Sequence, residues 1–149
     1  MSIGKTYKPY SAVHGANTLK GLVSYSLSIG ASAVSQRADG AVSQTRVYTE
    51  GHKATVSLTA EVNESIANFH VGDAAALTVL FYSQLEGANS GALTASRTVL
   101  FPKSGDQAHA VLTSISDSAP HNGQPTVTLT FEVAAASGVP ADLYTITDV

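Results

Sequence analysis

The sequence predicts an all-β chain, an antiparallel β-sandwich or barrel with one short helix and extended arms and loops. Three observations predict it. Apolar residues alternate with hydroxyl-bearing ones at a period of two in three separate segments, the pattern of a strand with one buried and one solvated face. Gly, Pro, Asn and Asp recur between such segments at short intervals and supply turns. Ala, Ser, Thr and Val make up 22, 18, 15 and 15 of the 149 residues, small or β-branched types that suit a pleated surface.

Residues 1–18 contain Pro9 and Gly15 and hold no sustained period, so they read as an N-terminal arm that orders only against a neighbour or a sheet edge. Residues 19–149 read as a single β-sandwich domain, because no solenoid-length repeat and no Pro- or Gly-rich linker divides them. The first strand covers 19–29, where Val23, Tyr25, Leu27 and Ile29 interleave with Ser24, Ser26 and Ser28. A long polar connection over 31–53 follows, with a weaker strand signal at 45–49. Ala54, Val56, Leu58, Ala60 and Val62 then alternate with Thr55, Ser57, Thr59 and Glu61. Asn63 caps a short helix whose Ile66 and Phe69, three apart, face the core. Weaker strands are expected over 77–82, 93–101, 109–116 and 143–147. Val127, Leu129, Phe131 and Val133, alternating with Thr126, Thr128, Thr130 and Glu132, give the third clear strand. Turns fall at Ala38-Asp39-Gly40, Val71-Gly72-Asp73, 86–91, 102–106, His121-Asn122-Gly123 and 137–140.

Charge narrows the function classes. Eight Lys and Arg against eleven Asp and Glu leave a net charge of −3 with no cationic cluster, so neither nucleic acid nor anionic lipid is an expected binding partner. Charged residues are 13% of the chain, against roughly one quarter in ordinary domains. Ser, Thr, backbone or other chains must therefore cover the surface. The chain has no Cys, which removes disulfides, thiolate nucleophiles and Cys-based zinc sites and leaves the redox compartment open. Residues 1–10 carry charge without a long apolar run, so no secretory signal is expected there. The longest apolar stretch, 74–82, is short of the roughly 20 residues a membrane helix needs.

No constellation for catalysis emerges. His14, His52, His70, His109 and His121 are dispersed, without the i, i+2 or i, i+4 spacing that aims two imidazoles at one metal ion, and read as surface or turn histidines. Gly-x-Ser-x-Gly is absent, and Gly87-Ala88-Asn89-Ser90-Gly91 lacks the Lys and Ser or Thr of a phosphate loop, so it reads as a hairpin loop. Glu61 and Glu64 are the nearest acidic pair, and the turn residues Asp39, Asp73, Asp106 and Asp117 have local backbone donors as their natural partners. No Asp-x-Asp-x-Asp run indicates calcium. The expectation is a non-enzyme with no cofactor and no metal.

The connection 31–53 concentrates Arg37, Asp39, Arg46, Tyr48, Glu50, His52 and Lys53. It reads either as a solvated hairpin extension or as an arm that crosses onto a neighbouring subunit, where Arg and Tyr are favoured contacts. Under the second reading the candidate subunit-interface residues are Tyr7 and Tyr10 of the N-terminal arm with Arg37, Asp39, Arg46, Tyr48 and Glu50 of the connection.

This layout resembles the tail tube (major tail) proteins of long-tailed bacteriophages. The resemblance runs through a polar N-terminal arm, the strand Leu19-Lys20-Gly21-Leu22-Val23-Ser24-Tyr25-Ser26-Leu27-Ser28-Ile29, the connection 31–53, and Val56 to Val62 leading into Val71-Gly72-Asp73 and Leu77-Thr78-Val79-Leu80-Phe81. Ala110-Val111-Leu112-Thr113-Ser114-Ile115-Ser116, the loop Ala119-Pro120-His121-Asn122-Gly123-Gln124 and the strand Thr126 to Val133 close it. It implies a β-sandwich or barrel subunit in stacked hexameric rings whose sheets join edge to edge. DNA would pass through the lumen without specific binding, other phage tail proteins would be partners, and the place would be the virion tail after assembly in the host cytoplasm. Two other structural roles stay open, a capsid decoration or cement protein and a tail terminator or adaptor. So does a carbohydrate-binding β-sandwich using Tyr82, Tyr48 or Phe69 as a stacking platform.

Overall fold

The computed structural model describes residues 5–61, 64–85, 95–103, 110–135 and 137–148. Within them the strands are β1 Lys5–His14, β2 Asn17–Lys20, β3 Leu22–Gln36, β4 Arg46–Glu61, β5 Ala74–Ala75, β6 Leu77–Leu85, β7 Ala95–Phe101, β8 Ala110–Ser118, β9 Thr126–Val133 and β10 Thr145–Asp148. They form two five-stranded sheets, β10-β7-β6-β1-β2 and β3-β4-β9-β8-β5. The strand pairs in both sheets are antiparallel. The expected all-β sandwich is the observed architecture.

Alternation explains the core. In β4 and β9 the apolar positions fall opposite one another, Val56 against Phe131, Leu58 against Leu129 and Ala60 against Val127. All six are buried. The other sheet answers with Leu77, Val79 and Phe81 of β6 and Val99 and Phe101 of β7, and the two sets merge into one apolar cluster. Burying each of the larger side chains contributes about 1.5–3 kcal/mol. The intervening Ser and Thr positions form the outer face.

Two expectations are corrected. The N-terminal arm expected over 1–18 is, from Lys5 onward, a strand of the first sheet: β1 pairs with β6 along its length and with β2 at Ser11 to His14. A bulge between Pro9 and Ser11 shifts the side-chain phase, which hides the period. Proline is tolerated because β2 does not extend over that half of β1. Residues 1–4 lie outside the described residues. The expected strand 19–29 is divided at Gly21, whose φ of 71° breaks the extended chain. Leu19 thus belongs to β2 and Val23 to β3, in different sheets.

The connection 31–53 takes the first of its two expected forms, a solvated hairpin extension, because β3 runs on to Gln36 and β4 begins at Arg46. Both faces of this extension are solvated, so no apolar alternation marks it in the sequence. The short helix is a single 3-10 turn, Glu64–Asn68. Phe69 behind it is buried as expected, with Ile66 partly buried against the core. The proposed cap Asn63 lies outside the described residues, as do Asp106, His109 and the loop Gly87 to Gly91. The strands expected at 93–101, 109–116 and 143–147 appear as β7, β8 and β10, with Leu143 turned into the core.

Candidate subunit interface

β4 pairs with β9 only from Ala54 to Glu61. Beyond that point β3 and β4 continue alone, from Gly30 opposite Lys53 to Gln36 opposite Arg46. The result is a two-stranded ribbon projecting from the second sheet. At its root the register slips between Gly30 and Ser32, and Gly51 takes a φ of 67°. A glycine in the left-handed region on the bulged strand is the signature of a G1-type bulge, which bends the pair and strengthens its twist.

The ribbon tip is ordered by its own bonds. The Thr45 backbone N–H donates to the Gln36 carbonyl at 2.9 Å, the Ala38 N–H to Thr45 Oγ1 at 2.9 Å and the Ala41 N–H to the Ala38 carbonyl at 3.0 Å. Val42 stands at the apex, 96% exposed. Arg37, Asp39, Arg46, Tyr48 and Glu50 are all exposed on this one hairpin. The Arg46 guanidinium lies 6.0 Å from the Tyr48 ring centre. Thr49 Oγ1 and His52 Nε2 are 3.1 Å apart, and Lys53 reaches Glu132 at 3.7 Å across the root.

Tyr7 and Tyr10 are not part of this cluster. They lie on β1 in the other sheet. The Arg97 guanidinium sits 4.0 Å above the Tyr7 ring and forms a bidentate pair with Asp148 at 2.7 and 3.1 Å, a charge-assisted arrangement across the β7–β10 pair. Tyr10 packs 6.2 Å from Tyr82. Tyr25 meets Phe81 edge to face at 5.0 Å, and burial, helped by nearby Tyr144, pushes its phenol up to about 12. The Arg97–Asp148 pair had no signal in the sequence, since register alone joins residues so far apart in the chain.

A second feature lies at the ribbon root. Thr49, Glu50, Gly51 and His52 form one wall of a groove of about 450 Å³, and Ala134, Ala135, Gly138, Val139, Pro140 and Leu143 form the other. The second wall is held by local bonds. The Ser137 hydroxyl donates to Asp142 at 2.7 Å and accepts from the Val139 N–H at 3.2 Å, while Lys103 reaches Asp142 at 3.7 Å.

The sheet edges differ sharply. β2, β5 and β10 are edge strands of four, two and four residues. β3 is an edge strand of fifteen residues without a single charged side chain. Val23 and Ile29 on it are 55% and 46% exposed. Beside β3 and β4, the outer face is a registered hydroxyl array, with Ser24, Thr59, Thr128 and Ser116 in one row and Ser26, Ser57, Thr130 and Ser114 in the next. Thr59 and Thr128 hydroxyls lie 3.2 Å apart within it.

The dispersed histidines need one correction. His14 is buried, with Nε2 donating to the Ala110 carbonyl at 2.8 Å and its ring 4.8 Å from that of Phe131. His52, His70 and His121 are exposed. Among the described residues, no three His, Asp or Glu side chains converge. Of the alternative stacking residues for a sugar, Phe69 is in the core, Tyr48 is exposed on the ribbon, and Tyr82 lies half-buried in the other sheet against Tyr10. Among known proteins, no family model matches the chain and no curated protein matches it.

Proposed function

We propose that this chain is a structural subunit that works by self-association, in the manner of a phage tail tube protein. The observation that carries the reading is the β3 edge. Natural sheets guard open edges with charge, proline or brevity, because a free row of N–H and C=O groups recruits further strands. The other edge strands are short, and the open half of β1 carries Lys8 and Pro9. β3 carries one bulge, at Val23, but is long and uncharged, and a strand from another copy satisfies it.

The ribbon supports the same reading. An isolated two-stranded hairpin is at best marginally stable in water, so packing against a second subunit completes its burial. The hydroxyl face adds a surface that another chain can cover without stranding a charge. Rings or tubes of the tail type, with DNA in the lumen, are the assembly the segment layout favours.

Light scattering with negative-stain microscopy tests this reading. The expected result is concentration-dependent growth into rings or tubes. Val23→Lys should suppress growth by placing a charge at the open edge while leaving the fold intact, because Val23 is already exposed. Replacing Arg37 and Arg46 together by Ala should also reduce assembly. A wild-type protein that stays monomeric at every concentration refutes the proposal.

A further inference from the structure

We infer that the ribbon tip of one copy seats in the root groove of a second copy, with the Val42 side chain as the inserted group. The inference rests on the self-association reading and names its contact. Val42 is the most exposed large apolar residue described. It is also held at the apex of an internally bonded loop, so presenting it carries little further ordering cost.

The groove matches it in chemistry and has room for the tip around it. Its far wall is apolar through Ala134, Ala135, Val139 and Pro140, with the buried Leu143 behind them, and its near wall carries the exposed carboxylate Glu50. Arg37 and Arg46 flank the tip with Asp39 between them, so the tip is net positive where the groove rim is negative. The bonds among Ser137, Val139 and Asp142 hold the far wall open in advance.

The charge and apolar match between tip and groove makes the occupant another tip of this chain, and that tip belongs to a second copy because a tip cannot reach its own groove. Glu50 at the groove pairs with Ser32, and Arg46 at the tip pairs with Gln36. Four strand residues at roughly 3.3 Å each hold the two about 13 Å apart along an extended ribbon. Tip and groove are thus at opposite ends of one extended element. A contact between such different patches is head to tail, and repeating it closes a ring or extends a stack. The tip alone is far smaller than a stable interface, so it adds to the β3 edge contact through multivalency.

Cysteine pairing gives the test, because the chain has no native Cys. Val42→Cys protein is mixed with Val139→Cys protein, allowed to assemble and then oxidised, with Val42→Cys plus Ser57→Cys as the reference pair. The expected result is a disulfide-linked heterodimer from the first pair at several times the reference yield. In parallel, Val42→Asp should raise the concentration needed for assembly at least about tenfold, from the lost burial of one Val. Its thermal melt should be unchanged. Particles that form without the Val42–Val139 cross-link overturn the groove contact and leave self-association standing. Val139→Cys protein that links only to itself places groove against groove and also overturns it. Wild-type protein that never assembles overturns both.

Discussion

Gly51 should be the residue that sets the ribbon's stability, and the cost of replacing it can be worked from geometry. Its φ of 67° lies in the left-handed region, and no heavy atom stands within 4 Å of where a Cβ would be added. A side chain there meets open space, so only the backbone is strained. That strain costs about 1–2 kcal/mol for an L-residue, and the entropy lost from the unfolded chain returns about 0.4–1 kcal/mol. The net loss for Gly51→Ala is then about 0–1.6 kcal/mol, equivalent to opening the ribbon up to about 15-fold more often. Hydrogen exchange at the amides between Ser32↔Glu50 and Gln36↔Arg46 reads that factor directly. Asn tolerates the left-handed region and a β-branched residue does not, so stability should fall in the order Gly, Asn, Ala, Val. Ala more stable than Gly, or Val more stable than Asn, would refute the assignment of Gly51 as the left-handed bulge residue.

Other sites give sharper numbers on the body of the fold. Leu58→Ala empties a fully buried position opposite Leu129 and should cost 2–5 kcal/mol in urea denaturation (an order-of-magnitude range, about that of core Leu truncations). His14→Phe keeps a ring against Phe131 but removes the donor to the Ala110 carbonyl, and should cost about 1–3 kcal/mol in the same assay. Tyr25 has its phenol raised from 10 to about 12, so its neutral form is favoured in the folded state. The contribution is fully present below pH 10 and is lost as pH rises toward about 12. Alkaline titration of stability should therefore fall more steeply for wild type than for Tyr25→Phe over that interval, by a modest amount because Tyr25 is only half-buried. Identical profiles would remove the buried phenol from the account.

The sandwich body was legible in the sequence because its strands bury one face. Val56, Leu58 and Ala60 and their partners on β9 must alternate with polar residues, and register follows from that pattern. The ribbon was legible as a polar connection with a hairpin extension as one of its two readings, but its strand bounds were not: a strand solvated on both faces has no apolar phase to read, and Arg46 to Lys53 look the same in a loop as in a strand. β1 failed for a different reason, since the Pro9–Ser11 bulge breaks the phase midway. Of the proposed contact residues, Arg37, Asp39, Arg46, Tyr48 and Glu50 share one hairpin, while Tyr7 and Tyr10 pack within their own sheet. An isolated Gly inside Glu50-Gly51-His52 is a bulge signal, but only once the flanking residues are known to be strand.

Low charge has a structural logic when placed on the fold. β3 is uncharged although the adjoining part of the hairpin carries Arg46, Glu50 and Lys53 on β4. A surface selected only for solubility would place some of those charges on the exposed edge strand, where they also prevent unwanted pairing. Here they sit on β4, whose stretch from Arg46 to Lys53 is the ribbon's other open edge, while the β3 edge presents Ser, Ala, Val and Ile. Under the proposed self-association, that distribution leaves the longest edge open to a strand of a second copy. Edge pairing extends the sheet sideways, whereas the ribbon and groove lie at the two ends of a separate lever. A subunit with both surfaces gains two independent directions of contact, each weak alone and each strengthened by the other through effective concentration.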